Sequence, residues 1–167
     1  MARVWLFGDN VDTDQILPGR YAPYMTSEAN LGKYPFIEAR PEFAPTVRPG
    51  DVIVAGSNFG CGSSREYAPR ALKAVGIAAI VAPSFARIFF RNALTLGIPL
   101  FEVDLRDRLV DGQTVTLDTA VPAIVVADGE QIALPPPPDW VRSVWAEGGI
   151  VEYYRRHGRL PEMGAGA

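Results

Sequence analysis

The chain has little with which to hold a metal. Its 167 residues include one cysteine, Cys61, and one histidine, His157. A lone cysteine excludes an internal disulfide framework, and a reducing cytoplasm is the expected setting. Cluster and zinc sites normally need several thiolates or imidazoles, so this chain is expected to hold no metal or cofactor by itself. It also has no basic excess. Lys and Arg total 16 against 19 Asp and Glu, a net charge of −3, which gives no electrostatic case for nucleic acid or an anionic membrane. No apolar run is long enough to cross a bilayer, and Met1-Ala2-Arg3 opens no signal-peptide pattern. What remains is 48% hydrophobic and 21% charged, an ordinary globular composition at a length that suits one domain with a real core. No repeat or second domain is visible, so one domain over 1–167 is expected, with 164–167 a disordered tail.

The apolar run Val4–Phe7 reads as a strand, followed by a loop rich in acid, Gly8 to Asp14. Residues 21–49 carry five prolines and little periodicity, with short helical turns expected around Ser27–Lys33 and Phe36–Arg40; so long an irregular segment is often functional. Short buried strands are expected at 51–56, 78–82 and 99–103, alternating with helices from about Ser63 and over 85–96. That order argues for an α/β fold with parallel pairing. Beyond Thr114 the pattern becomes short strands at 114–117, 124–127 and 131–134 with Asp-Gly turns between them. Two closing helices are expected, over 139–145 and 149–156.

The stretch with most chemistry is Gly60-Cys61-Gly62-Ser63-Ser64-Arg65-Glu66. Ser63 and Glu66 have the spacing of a capping box, which places Ser63 at a helix N-terminus. Two glycines let backbone N–H groups approach a ligand, a helix start attracts anions, and Arg65 adds a planar fork matched to a carboxylate. These residues alone leave open a plain capped turn, a phosphate loop or a carboxylate site. Cys61 could act as a nucleophile only with His157, far along the chain; a small buried thiol is the simpler reading. Asp9, Asp12 and Asp14 could gather a hard cation, although Asp-Thr-Asp is also turn chemistry. Arg87 and Arg91 share a helix face with aromatic neighbours Phe85, Phe89 and Phe90, and that face suits a partner, an anion or solvent.

Three segments together resemble one family. Asp9-Asn10-Val11-Asp12-Thr13-Asp14-Gln15-Ile16-Leu17-Pro18 is similar to the N-terminal signature of isopropylmalate-isomerase small subunits. Asn58-Phe59-Gly60-Cys61-Gly62-Ser63-Ser64-Arg65-Glu66 is similar to that family's active-site loop. Ser84-Phe85-Ala86-Arg87-Ile88-Phe89-Phe90-Arg91-Asn92 is the third match, and the resemblance spans roughly residues 3–156. It is to the aconitase superfamily in its stand-alone form, and it implies an α/β swivelling domain of the β/β/α type. It implies a large-subunit partner, in a heterodimer or heterotetramer, that carries a [4Fe–4S] cluster on three cysteines, with one iron free to act as Lewis acid on the leaving hydroxyl. Ser63 is then the catalytic base. Ser64 and Arg65 bind substrate carboxylate, and Thr13-Asp14 match an active-site acid region. One position departs from the pattern: Tyr67 stands where the family usually has histidine.

The resemblance implies hydro-lyase chemistry on a small di- or tricarboxylic hydroxy acid. Removing a proton next to a carboxylate spreads charge onto that carboxylate, and donors placed there lower the barrier. The family's discriminating loop corresponds to Arg20, Tyr21, Ala22, Pro23, Tyr24, Met25 and Thr26. The expected reaction is interconversion of 2- and 3-isopropylmalate in leucine biosynthesis. The alternative is a homoaconitase small subunit of lysine biosynthesis by the aminoadipate route, which the Tyr-Ala-Pro-Tyr-Met stretch and the Tyr153–Arg159 segment also resemble. An RNA-binding regulator is a third class, and the acidic balance argues against it.

Overall fold

The structure is a computed structural model that describes residues 1–23 and 27–162. One seven-stranded sheet organises it, in the order β4-β3-β2-β1-β5-β6-β7. The strands are β1 (Ala2–Leu6), β2 (Val52–Val54), β3 (Ala79–Ala82), β4 (Leu100–Glu102), β5 (Thr114–Asp118), β6 (Ala123–Val126) and β7 (Gln131–Ala133). β1 to β4 pair in parallel, in the register Val4–Val52–Ala79 and Leu6–Val54–Val81. β1 then pairs antiparallel with β5, and β5 to β7 form a meander. The expected α/β class with partial parallel pairing is what forms, and each strand lies within two residues of its expected place.

The central parallel strands β2 and β3 are apolar and buried at every position because both faces are covered. On one face Trp5, Ile53, Ile80 and Leu100 pack against Phe36, Phe43, Leu72, Phe89 and Ile98. Those residues come largely from α2 (Phe43–Thr46), α3 (Tyr67–Ala74) and α4 (Arg87–Leu96) and the segments around them. On the other face Val4, Val52, Val54, Val81 and Phe101 pack against Val115, Ile124, Val126 and Ile132 of the meander. The antiparallel half therefore curls over the parallel half, and the sheet supplies much of its own second layer. Helices α5 (Asp139–Ala146) and α6 (Ile150–His157) close the chain, with the Trp145 ring edge-on to Phe101 at 5.5 Å. No helix among the described residues is long and apolar enough to cross a membrane.

Several local expectations need correction. The acidic loop after β1 ends at Asp12, because Thr13–Ile16 form a helical turn, α1. Asp12 caps it: its Oδ1 accepts from the Gln15 N–H at 2.7 Å and Gln15 Oε1 accepts from the Asp12 N–H at 3.0 Å. Phe36–Arg40 makes a hydrogen-bonded turn rather than a helix, and the helix falls at Phe43–Thr46. Glu28–Lys33 is the expected short helix, in 3-10 form, and a 3-10 turn also spans Gly19–Tyr21. The tail 164–167 lies outside the described residues.

Two carboxylates anchor β1. Asp51 is buried, 3% exposed, and accepts from the Arg3 N–H at 2.9 Å, the Trp5 indole at 3.0 Å and the Arg48 N–H at 3.0 Å. Asp111 accepts from the Leu6 N–H at 2.8 Å and takes a two-pronged bond from Arg40 at 2.9 and 2.8 Å. Those bonds hold the Asp111 carboxyl below its usual range and raise Arg40. Trp5 is flanked by the guanidinium groups of Arg3 and Arg40, 3.9 and 4.7 Å from its ring, a contact that favours cations on aromatic faces. Asp51→Ala leaves three N–H donors without their acceptor, each loss costing about 1–3 kcal/mol when buried. The expected outcome is a drop of at least ~2 kcal/mol in urea unfolding, with Asp51→Asn losing less.

Candidate active site

Three segments leave the carboxyl ends of β1, β2 and β3, and parallel pairing brings them to one edge of the sheet. Crevices at the carboxyl ends of parallel strands are where open α/β sheets collect ligands. Backbone bonds stitch the segments together. The Asn10 N–H donates to the Ser57 carbonyl at 2.8 Å, Gly60 N–H to Val11 at 2.7 Å and Phe59 N–H to Ser84 at 3.0 Å. Asn10 and Asn58 both take left-handed backbone, φ 56° and 61°, and Asn58 Nδ2 donates to Asn10 Oδ1 at 3.0 Å. Asp9 Oδ1 accepts from the Ser57 N–H at 2.8 Å and from Arg106 at 2.9 Å. Arg106 also grips Asp104, and this hydrogen bonding holds the Asp104 carboxyl down at about 2.

Glycine is required at two points of the central loop. Gly60 has φ +79°, and a Cβ there would lie 2.1 Å from the Phe89 ring, so only glycine lets the loop rest on α4. Gly62 has φ +102° and faces Thr13, where a Cβ would lie 3.1 Å from the hydroxyl oxygen. That close approach sets two bonds. The Thr13 N–H donates to the Cys61 carbonyl at 2.8 Å, and the Ser63 N–H donates to Thr13 Oγ1 at 2.9 Å. Thr13 is buried beneath the loop.

Ser63 is not a helix cap. Helix α3 begins at Tyr67 with Glu66 at the cap position and no side-chain cap bond, so the expected Ser63–Glu66 capping box does not form. The Ser63 N–H is held by Thr13, and its Oγ accepts from the Arg65 N–H at 3.2 Å and Arg65 Nε at 3.0 Å. Tertiary bonding has overridden a local spacing signal. Ser63 and Arg65 instead line a small cleft with Thr13, Asp14, Leu17, Gly19 and Ala22, closed by Tyr67 and Ala68 from the first turn of α3.

Ser63, Arg65, Thr13 and Asp14 come together as expected. Ser64 is exposed beside the cleft, outside its lining, and its carbonyl accepts from Asn92 Nδ2 of α4 at 3.4 Å. Within the expected specificity loop, Ala22 lines the cleft. Arg20 is ion-paired with Glu38 and Tyr21 stacks on Tyr34 with centroids 4.6 Å apart, and neither they nor Pro23 line it. Tyr24, Met25 and Thr26 lie outside the described residues. The remaining walls, Leu17, Gly19 and Ala68, are small or apolar residues with no chemical signature to mark them in advance.

The rival sites do not assemble. His157 is engaged by Glu147 at 3.2 Å and by the Tyr153 ring, at the α5–α6 end of the chain, while Cys61 lies in the central loop, its backbone paired with that of Asp12 in an isolated parallel β-bridge. The three aspartates serve different ends: Asp9 fastens loops, Asp12 caps α1 and Asp14 faces the cleft. Among the described residues no three His, Cys, Asp or Glu side chains are grouped to hold a metal ion. Arg87 and Arg91 are exposed on the outer side of α4, edging a shallow hollow with Phe85, Phe90 and Glu102.

Comparison with known proteins gives a consistent result. The aconitase C-terminal domain family model matches residues 8–103. The chain is 53% identical, over all of its length and 94% of that protein's, to a 3-isopropylmalate dehydratase small subunit 1 of Deinococcus radiodurans. It is 51% identical to the homoaconitase small subunit of Thermus thermophilus, over 96% of this chain and 99% of the other. A solved structure of 3-isopropylmalate dehydratase from Methanocaldococcus jannaschii superposes with a TM-score of 0.85 at 40% identity, covering 94% of this chain and 93% of that one. The chain thus belongs to the aconitase C-terminal domain family, and three strand-end segments that its parallel sheet gathers, 9–18, 58–66 and 84–92, all fall within the matched region.

Proposed function

We propose that this chain is the small subunit of a 3-isopropylmalate dehydratase, a hydro-lyase completed by a large subunit, and that it acts as one swivelling domain. The observation that carries the reading is the Ser63 hydroxyl. One oxygen accepts from both the backbone N–H and the Nε of Arg65 and lies in a cleft whose walls are fixed by buried backbone bonds. A serine is a weak base unless its alkoxide is stabilised, and hydrogen bonds to the charged form favour it. Arg65 therefore has two tasks in this reading. Its Nε edge supports Ser63, and its guanidinium meets the carboxylate next to the carbon that loses a proton. Charge developing on that carboxylate is met by donors already in place, so little reorganisation is needed as the proton moves to Ser63 Oγ. Thr13 fixes the Ser63 backbone from below, and Asp14 stands at the same cleft, placed to exchange protons with solvent or substrate.

This chain's side chains do not form a donor set for an iron–sulfur cluster, with one thiol and one imidazole at separate places. The cluster implied by the resemblance belongs in this reading to the large subunit, and the chain's own residues serve the proton-transfer half of the reaction. The aliphatic lining of the cleft among the described residues is Leu17, Ala22 and Ala68, which suits an isopropyl group. A homoaconitase small subunit is the second reading, favoured by the 51% identity to the Thermus thermophilus protein.

The purified chain is expected to be colourless and inactive, with hydratase activity appearing when a reconstituted large subunit is added; robust turnover by the chain alone contradicts the two-subunit reading. Values of kcat/KM for isopropylmalate and homoaconitate on the pair decide between the two names. Ser63→Ala is expected to lower kcat on the order of a hundredfold or more. Because Ser63 caps no helix, stability should stay within about 0.5 kcal/mol, so near-normal kcat would remove it as the base. Arg65→Lys keeps the charge but loses the fork and the Nε bond to Ser63. It should lower kcat and raise KM together, with kcat/KM down about tenfold or more. A loss confined to KM would separate Arg65 from Ser63.

A further inference from the structure

We infer that Tyr67 is a specificity-determining residue, whose ring closes the side-group end of the cleft and sets the size of the group the substrate can carry. The inference rests on the proposed reaction and deepens it. Every substrate of that reaction shares a malate-like core, and Ser63 and Arg65 are the groups placed to hold it. Discrimination must come from whatever faces the remaining substituent. The two described polar side chains of the segment expected to do this are turned to other work: Arg20 is held by Glu38, and Tyr21 is stacked on Tyr34. Among the described residues, the apolar and aromatic lining of the cleft is Leu17, Ala22, Ala68 and Tyr67. Three of these are aliphatic and two of the three are alanine, so the aromatic ring is the one large, shaped surface among them.

Its position is also fixed. Tyr67 is the first residue of α3, directly after the Ser63–Arg65 loop, so helix geometry ties the ring to the catalytic loop. On its other side it packs against the cluster of Leu17, Leu31 and Ala71, which also takes in Tyr21 and Tyr34. A half-buried ring held between a packed cluster and an open cleft cannot swing away to admit a larger group without breaking that cluster. One added methylene in an apolar pocket changes discrimination by about 10–200-fold, so shortening this side chain should be visible as a changed preference.

The test uses the reconstituted two-subunit enzyme and two substrates, 2-isopropylmalate and the malate bearing an isobutyl group. Tyr67→Ala is expected to shift the ratio of the two kcat/KM values at least tenfold toward the larger group. Tyr67→Leu, which keeps an apolar side chain for the Leu17–Leu31–Ala71 cluster, should shift it in the same direction by less, and Tyr67→Phe should leave the ratio unchanged. Both substrates are measured on one preparation, so partial loss of folded protein cancels from the ratio. A ratio unmoved in Tyr67→Ala and Tyr67→Leu overturns the inference and leaves the proposed reaction standing. A wild-type pair inactive on both substrates overturns the proposed reaction, and this inference with it.

Discussion

The parallel register of β1, β2 and β3 is the constraint on which the rest depends. Val4, Val52 and Ala79 lie side by side, and so do Leu6, Val54 and Val81. The segments that follow these strands therefore arrive at one edge at one height. β1 and β2 are separated by about 45 residues of largely irregular chain, so nothing local fixes their alignment. Asp51 does so, accepting from Arg3 and Trp5 of β1 while standing next to β2. A slip of one residue would turn every side chain of β1 to the opposite face. It would also part Val11 from Gly60 and Thr13 from Ser63, and with them the cleft.

The chemistry of the cleft is one-sided. It offers a hydroxyl with two donors on it, a guanidinium and a carboxylate, which are groups for moving a proton and holding an anion. Among the described residues no three His, Cys, Asp or Glu side chains are grouped as metal ligands. The relatives compared above carry the names of small subunits. Thr13 shows how the cleft is economical. Its backbone N–H binds the Cys61 carbonyl and its side-chain oxygen binds the Ser63 N–H, so one buried residue fixes both sides of Gly62.

Much of the fold was legible in the sequence because the central parallel strands, β2 and β3, are continuous apolar runs bounded by glycine or proline. Such runs read as buried strands whatever surrounds them. The site was legible through the three segments, since Gly60, Gly62, Ser63 and Arg65 are residue types with chemical meaning. Local capping was misread for a physical reason. Ser63-x-x-Glu66 and Asp12-x-x-Gln15 have the same spacing, and only the second makes a capping box. In the first, Thr13 and Arg65 take the groups of Ser63 that a cap would use, and those partners lie outside the local window. The partners of Arg20 and Tyr21 were not legible either, because Glu38 and Tyr34 come more than ten residues later. Leu17 and Ala68 could not be picked out, because an apolar wall differs from core only by what lies open beside it.

Of the three non-glycine residues with positive φ among the described residues, two, Asn10 and Asn58, lie where the loops meet. Asn10, Asn58, Gly60 and Gly62 all have positive φ, and all lie in the two segments that flank the cleft. Residues in sparsely populated backbone regions persist only where their surroundings over-determine them. Here the surroundings are the Asn58–Asn10 bond, the Asp9–Ser57–Arg106 junction and the contact of Gly60 with Phe89. A serine that works as a base without a histidine gains nothing from a mobile loop, since its alkoxide needs donors already aimed at it when the proton arrives. A loop held from three strand ends meets that requirement. In the proposed reaction the irregular backbone at this edge is the local cost of a preorganised hydroxyl, and the packed sheet beneath it is what can bear it.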